Sequence, residues 1–225
     1  HVPDYLSLEE AATVPLTALT AMQSFELMDV KPGQTLFISG GTGSLGAMAI
    51  PLAKSLGLTV ATNGNGENEE RVRALGADIF IDYKKQSYAD VLSEVDLVLD
   101  TLGDRELPTE FKILKEGGRL VSLRGMPNGR FARRMGLPWY KHFLLSLAGR
   151  KYDAMAARKK QTYDFIFVHE DGAQLESIAS LFPAERPLTV SIDATFTLDQ
   201  INEALAKVRA GGSQGKTIVR IGDFQ

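Results

Sequence analysis

Cysteine is absent from this 225-residue sequence. Without it no disulfide and no thiolate metal site can form, and the absence fits a reducing compartment, with the cytoplasm as the expected location. No apolar run approaches the roughly 20 residues that span a bilayer, and no signal peptide is visible, so no membrane insertion is expected. A strong charge of either sign is missing too: 25 basic against 28 acidic residues leave −3, which gives no global attraction to nucleic acid. The three histidines, His1, His142 and His169, make no metal-spaced cluster and read as surface or capping residues. Repeats and low-complexity tracts are also lacking. The chain opens His1-Val2-Pro3-Asp4, with no methionine, directly into a helical pattern; a fragment or processed product is expected.

What is present is an ordinary globular composition, 44% hydrophobic and 24% charged, long enough to bury a sizeable core. Its most informative stretch runs from Thr35 to Gly57. Thr35 to Ser39 is a short apolar strand, Gly40-Gly41-Thr42-Gly43-Ser44-Leu45-Gly46 follows, and Ala47 to Leu56 has helical spacing. Gly41, Gly43 and Gly46 satisfy G-x-G-x-x-G between a strand and a helix, the context in which the pattern signals a dinucleotide site. Gly41 is expected to permit the tight turn, Gly43 to let backbone approach a pyrophosphate, and Gly46 to let helix and strand pack closely. Unpaired amides and the helix dipole then face the phosphates.

Around this motif the hydrophobic period alternates. Ser7-Leu8-Glu9-Glu10 is a capping box opening a helix that Pro15 should interrupt and that resumes to about Met28. Strands are expected at 35–39, 58–62, 78–81, 95–100 and 119–123, with helices at 44–57, 67–75, 87–94 and 106–114. Gly76 stands where a helix C-cap glycine should, and Ser87 with Asp90 marks a helix start. Strand 163–168, helix 171–182, a strand near 188–193, helix 198–210 and strand 216–221 complete the chain, with a capping box at Thr197 to Gln200 and Gly211-Gly212 ending the last helix. The fold class is therefore α/β, a doubly wound parallel sheet of Rossmann type with its crevice at the carboxyl ends of the strands. The divisions read as a connecting helix and linker at 1–33, the dinucleotide-binding domain at 34–190 and a C-terminal return segment at 191–225.

Residues 127–162 break the rhythm. They hold Arg130, Arg133, Arg134, Lys141, Arg150, Lys151, Arg158, Lys159 and Lys160 against the single acid Asp153, with Trp139, Tyr140, Phe143, Leu144, Leu145 and Leu147 in the middle. The expected arrangement is a helical insertion whose apolar stripe packs on its own domain. The alternative is a basic amphipathic helix on a membrane surface or a partner.

The second strand of an NAD site usually ends in Asp or Glu, which binds the ribose 2′-hydroxyl. Here Asn63 occupies that place, followed by Gly64-Asn65-Gly66. A carboxylate there would repel a 2′-phosphate, whereas a neutral amide can donate to one, so NADP(H) is the expected cofactor. Glu67, Glu69 and Glu70 complement the dipole of the next helix, with Arg71 and Arg73 offsetting them.

Ala11 to Ala21, Val30-Lys31-Pro32-Gly33-Gln34, the glycine loop, Leu75-Gly76-Ala77-Asp78 with Ile81-Asp82-Tyr83, Asp100-Thr101-Leu102-Gly103, Leu114 to Gly118 and Gly215-Lys216-Thr217-Ile218-Val219 together resemble the medium-chain dehydrogenase/reductases. The zinc-free quinone oxidoreductase branch is the best likeness, over nearly the whole chain but without that family's N-terminal catalytic domain. The resemblance implies that Thr42, Gly43, Ser44 and Leu45 cover the pyrophosphate. Asn63 and Gly64 would lie beside the adenosine ribose, with Tyr83 flanking the 2′-phosphate. Thr101 and Leu102 would border the cofactor after the fourth strand, Arg124 and Gly125 would meet the nicotinamide side, and Phe165 and Phe167 would lie near the carboxamide. For these three aromatics an ordinary core role stands beside the functional one. Thr20 either contacts the nicotinamide ribose or caps the helix. Zinc-dependent members carry a cysteine ligand four residues before that threonine; Leu16 stands there and cannot bind metal.

The activity implied is hydride transfer from NADPH to a quinone or an α,β-unsaturated carbonyl, with a small-molecule substrate, a homodimer as the family expectation, and this chain as the cofactor-binding portion, inactive alone. No acid, base or nucleophile here claims a catalytic role. No tyrosine has a lysine four residues later, and the glycine loop lacks the Gly-Lys-Ser/Thr of an NTPase. Two other readings stay open: a zinc-type alcohol dehydrogenase, and a non-catalytic NADPH-binding interaction module that uses the basic insertion.

Overall fold

The computed structural model describes residues 2–222; His1 lies outside the described residues. Helix α1 (Leu8–Met28) leads into β1 (Thr35–Ile38), α2 (Ser44–Ser55), β2 (Thr59–Gly64), α3 (Glu69–Ala74), β3 (Ile79–Asp82) and α4 (Tyr88–Val91). Then come β4 (Val95–Asp100), α5 (Leu107–Ile113), β5 (Leu114–Ser122), α6 (Gly129–Arg134), α7 (Trp139–Ala157), β6 (Thr162–Phe165) and α8 (Gly172–Ser180). The C-terminal part holds β7 (Ile192–Thr197), α9 (Ile201–Ala210) and β8 (Lys216–Arg220).

Six strands pair in the order β3-β2-β1-β4-β5-β6, every pair parallel. The sheet is buried on both faces, which is why its strands read as continuous apolar runs. Side chains alternate between two clusters: Leu36, Ile38, Val60, Leu97 and Leu99 pack with Phe25 and Ile50, and Phe37, Ala61, Ile81, Val98 and Leu120 pack with Phe111 and Tyr163. The order reverses beside β1, where the chain returns from β3 to β4, so the switch point sits above the glycine loop. Strands β7 and β8 form a separate parallel pair, joined by α9. Arg220 ties this unit to Glu9 of α1.

The larger departures from the expected pattern are four; beyond these, α4 spans only Tyr88–Val91 and β6 ends at Phe165. Helix α1 is continuous through Pro15: the proline removes one internal bond, but the capping box at Ser7 and the buried face from Thr13 to Met28 hold the helix across it. Strand β5 begins at Leu114 rather than 119, because a register shift lets Leu114 pair with Val95 before Arg119 pairs with Leu97. Strand β7 lies at 192–197 rather than near 188–193, since its ladder partner β8 starts opposite Ile192, while Leu188 is buried in the main core.

The fourth departure is the insertion. Of the apolar stripe of α7 only Leu145 is half-buried; the rest does not pack on its own domain. Trp139 is 82% exposed, Phe143 64%, Leu144 and Leu147 59% each, and Tyr140 48%. The opposite side of the helix, with Gly149, Tyr152 and Ala156, is the buried one. Each exposed residue forgoes the roughly 1.5–3 kcal/mol that full burial of a large apolar side chain contributes.

Candidate functional site

Helix α2 starts immediately after the β1 turn with Gly43 as its N-cap and no side-chain cap. Gly43 N–H donates to the Gly40 carbonyl at 3.2 Å and Ala47 N–H to the Gly43 carbonyl at 3.0 Å. No such partner meets the amides of Ser44, Leu45 and Gly46 among the described residues, so they are free to receive an anion. The three motif glycines differ from the expected roles in one respect. The positive φ of the turn, 68°, belongs to Gly40, not Gly41. Gly41 is required because a Cβ there would collide with Thr62, and Gly46 because a Cβ would strike the Gly41 backbone. Gly43 has nothing closer than 3.6 Å to a built Cβ; the space in front of it is open.

The end of β2 grips this loop. Thr62 Oγ1 accepts from Gly41 N–H at 3.0 Å and donates to the Ile38 carbonyl at 2.6 Å. Asn63 is buried, and its Oδ1 accepts from Gly40 N–H at 2.8 Å. Its oxygen is therefore committed to the loop, and only its amide nitrogen remains for another partner. Gly64 lies against the Thr42 methyl, and its carbonyl accepts from Tyr83 N–H at 3.2 Å. The Tyr83 ring is 59% exposed, so the core-aromatic alternative does not hold for it.

Two cations that the sequence left outside the candidate set border the loop. Arg71 of α3 donates from Nη2 to the Thr42 carbonyl at 2.7 Å, while its Nε and Nη1 are buried with no partner. Burial lowers its pKa from the ordinary arginine value; the group stays protonated. Lys216 lies beyond Gly215, whose carbonyl accepts from Ser44 Oγ at 3.0 Å. Burial lowers its pKa as well. Among the described residues neither cation has a carboxylate in ion-pair range, whereas Arg73 is paired with Glu69. A dinucleotide phosphate supplies the kind of counter-charge that such a pair of unneutralised cations lacks.

On the other side of β1, four polar side chains brace the loops. Asp100, fully buried, accepts from Leu102 N–H and Gly103 N–H at 2.8 Å each and from Ser122 Oγ at 2.5 Å. Ser122 Oγ in turn accepts from Gly125 N–H at 2.7 Å and Arg124 N–H at 3.2 Å. Thr101 donates through Oγ1 to the Ser39 carbonyl at 2.6 Å, and its N–H to Ser39 Oγ at 3.1 Å. The brace joins the ends of β1, β4 and β5, so Thr101, Leu102, Arg124 and Gly125 converge with the glycine loop. Beneath them Glu110 is fully buried with both carboxyl oxygens unpartnered. Burial first, then the Asp100 charge, pushes its pKa well above the usual carboxyl value.

Three candidates sit differently. Phe165 is half-buried and stacks edge-on against Phe131 at 5.3 Å. Phe167 is 67% exposed beyond β6 and so is not a core aromatic. Thr20 is buried mid-helix, its Oγ1 donating to the Leu16 carbonyl at 2.6 Å; the capping alternative does not hold. Leu16 itself is 60% exposed. Among the described residues no group of three or more His, Cys, Asp or Glu is arranged to hold a metal ion.

Residues 75–219 match the family described as zinc-binding dehydrogenase. The chain belongs to that family. Within it the matches are of the quinone oxidoreductase-like, medium-chain type, and the chain corresponds to their nucleotide-binding portion. It is 34% identical over 125 residues to the chloroplastic NADPH-dependent alkenal/one oxidoreductase of Arabidopsis thaliana, a match covering 55% of the chain and 32% of that enzyme. Along its whole length it is 29% identical to the mitochondrial NAD(P)H oxidoreductase of Danio rerio, of which it spans 60%. Its fold superposes on the quinone oxidoreductase from Coxiella burnetii with a TM-score of 0.80 at 25% identity, covering 98% of this chain and 63% of that one.

Proposed function

We propose that this chain is the cofactor-holding portion of an NADPH-dependent reductase acting on a quinone or an α,β-unsaturated carbonyl. The observation that carries the reading is Arg71: a half-buried, unneutralised guanidinium on α3 that reaches Thr42 of the glycine loop, and in this reading that is the end of the site where NADPH differs from NADH. The names of the Arabidopsis, zebrafish and Coxiella relatives support the same class of activity.

In this reading the free amides of Ser44, Leu45 and Gly46 and the Lys216 ammonium hold the pyrophosphate. Arg71 holds the 2′-phosphate, with Asn63 Nδ2 and the Tyr83 ring beside it. Bound NADPH supplies a hydride at its nicotinamide ring. The chain's own contribution is position: the Ser39–Asp100–Ser122 brace fixes Thr101 to Gly103 and Arg124-Gly125 as one rigid wall. No acid or base of this chain is assigned a proton transfer.

The test is titration of this chain with NADPH and NADH side by side. Preferential NADPH binding is expected. Preference for NADH, or no binding of either, would overturn the reading. The zinc-type alternative is disfavoured by Leu16, and stoichiometric zinc in a full-length homologous chain with the same leucine would restore it. Pairing of two copies through an edge of the sheet is the family expectation; at the β6 edge Arg134 donates to the Phe165 carbonyl at 2.5 Å.

A further inference from the structure

We propose that the exposed face of α7 docks this chain onto an anionic lipid surface, the helix lying along the membrane rather than across it. At about 100° per residue, Trp139, Tyr140, Phe143, Leu144 and Leu147 fall within one arc of about 140° on the first three turns. That arc is the solvent side. The helix is held to the domain by the opposite side, where Tyr152 stacks on Tyr163 at 5.1 Å and donates to Asp104 at 2.6 Å. The same outward arc continues into Arg150 and Lys151, so the face is apolar and aromatic in its first half and cationic in its second.

Charge decides the occupant. Segment 127–162 carries nine basic residues and one acid, leaving 16 basic against 27 acidic residues in the rest of the chain. Part of that charge is used internally: Arg130 and Arg134 pair with Asp164, and Lys160 pairs with Glu116. Arg133, Lys141, Arg150 and Lys151 have no carboxylate partner among the described residues, and the one local acid, Asp153, accepts from Asn128 at 2.7 Å. A second copy would bring the same uncompensated cations to the interface with no acid to meet them. An anionic lipid surface supplies the missing charge and an apolar layer together, and a convex helix with Trp, Tyr, Phe and Leu outermost has the shape for it, unlike a groove. The remainder of the chain, net acidic, would face away from such a surface.

The chain's only tryptophan is Trp139, so its fluorescence reads the face directly. The experiment is emission and co-sedimentation with vesicles of phosphatidylcholine alone and of phosphatidylcholine containing phosphatidylserine. The expected result is a blue shift and pelleting with the anionic vesicles only, declining with added salt. Phe143→Ser with Leu147→Ser, and separately Arg150→Glu with Lys151→Glu, should each weaken binding at least about tenfold, with the helical circular dichroism signal and thermal unfolding unchanged. Absence of the shift with anionic vesicles overturns the proposal. So does equal binding to neutral vesicles, or a lipid-free dimer in sedimentation that Phe143→Ser with Leu147→Ser dissolves.

Discussion

Replacing Arg71 by methionine separates cofactor choice from loop geometry. The Arg71 Nη2 donates to the Thr42 carbonyl at 2.7 Å and to Asn68 Oδ1 at 3.3 Å, while Nε and Nη1 are buried without partners. If a 2′-phosphate meets the guanidinium, its loss removes an interaction with a charged group, worth about 1.5–3 kcal/mol. At 1.4 kcal/mol per tenfold, NADPH should bind about 10–100 times more weakly. NADH has no 2′-phosphate and should lose only what the loosened Thr42 carbonyl costs, less than about threefold by the same conversion. Methionine matches the aliphatic stem, so folding should change little, and thermal unfolding of the variant checks that. Arg71→Lys keeps the charge without the fork and should fall between the two. Isothermal titration with both cofactors on all three proteins is the assay. Equal weakening of NADPH and NADH would mean that Arg71 only props the loop, and unchanged NADPH affinity would remove it from the site; either result refutes the reasoning.

Other outcomes follow from the same geometry. Gly43→Ala should fold with stability within about 0.5 kcal/mol of the parent, since nothing obstructs its Cβ, yet bind NADPH at least about tenfold more weakly because the methyl enters the phosphate space; normal NADPH binding by that variant would remove the phosphate from that position. Gly46→Ala should instead lower thermal stability by about 1–3 kcal/mol or more, its methyl driven into the Gly41 backbone; a normal melting temperature would contradict the packing. For Glu110, whose folded pKa is raised above the ordinary 4.5, the folded state binds the proton more tightly. Stability is then full below pH 4.5 and is lost as pH rises toward the folded value. Glu110→Gln should accordingly melt higher than the parent in mildly alkaline buffer and show no such gain near pH 4, and a pH-independent difference between the two proteins would refute the buried-acid account. Asp100→Ala leaves the Leu102 and Gly103 amides unpaired, at about 1–3 kcal/mol for each that stays buried, and chemical denaturation should show the loss.

The strands and the glycine loop were legible because their signals are local. Short continuous apolar runs alternating with amphipathic helices, and a motif whose flanks are a strand and a helix, need no knowledge of distant residues. Boundaries that failed depend on partners: β5 extends to Leu114 because Val95 is available to pair with it, and β7 shifts to Ile192 because β8 begins there. Pro15 misled for the same reason, as intrinsic helix cost is small against the burial of a long amphipathic face. Within the site, the sequence drew attention to Asn63 for its missing charge, but the fold spends its oxygen on Gly40. The charge lies eight residues on, at Arg71, which reads as helix decoration until the turn of α3 brings it under Thr42.

Insertion α7 marks a different limit. Periodicity states which residues share a face, not which face turns inward. Both sides of this helix are apolar enough to be buried: one carries Trp139, Phe143 and Leu147, the other Gly149, Tyr152 and Ala156. The fold chooses the second because small residues allow close approach. Gly149 sits against the backbone of Asn128, where a Cβ would collide, and Asn128 in turn reaches the Tyr163 carbonyl at 3.1 Å and caps α6 through Phe131 N–H at 3.0 Å. Turning the helix to bury Trp139 would put an indole where Gly149 now fits and would break that chain of bonds. The larger hydrophobes are thus left outside by the geometry of Asn128 and Gly149, and the hydrophobic surface they present is a consequence of how the insertion is anchored.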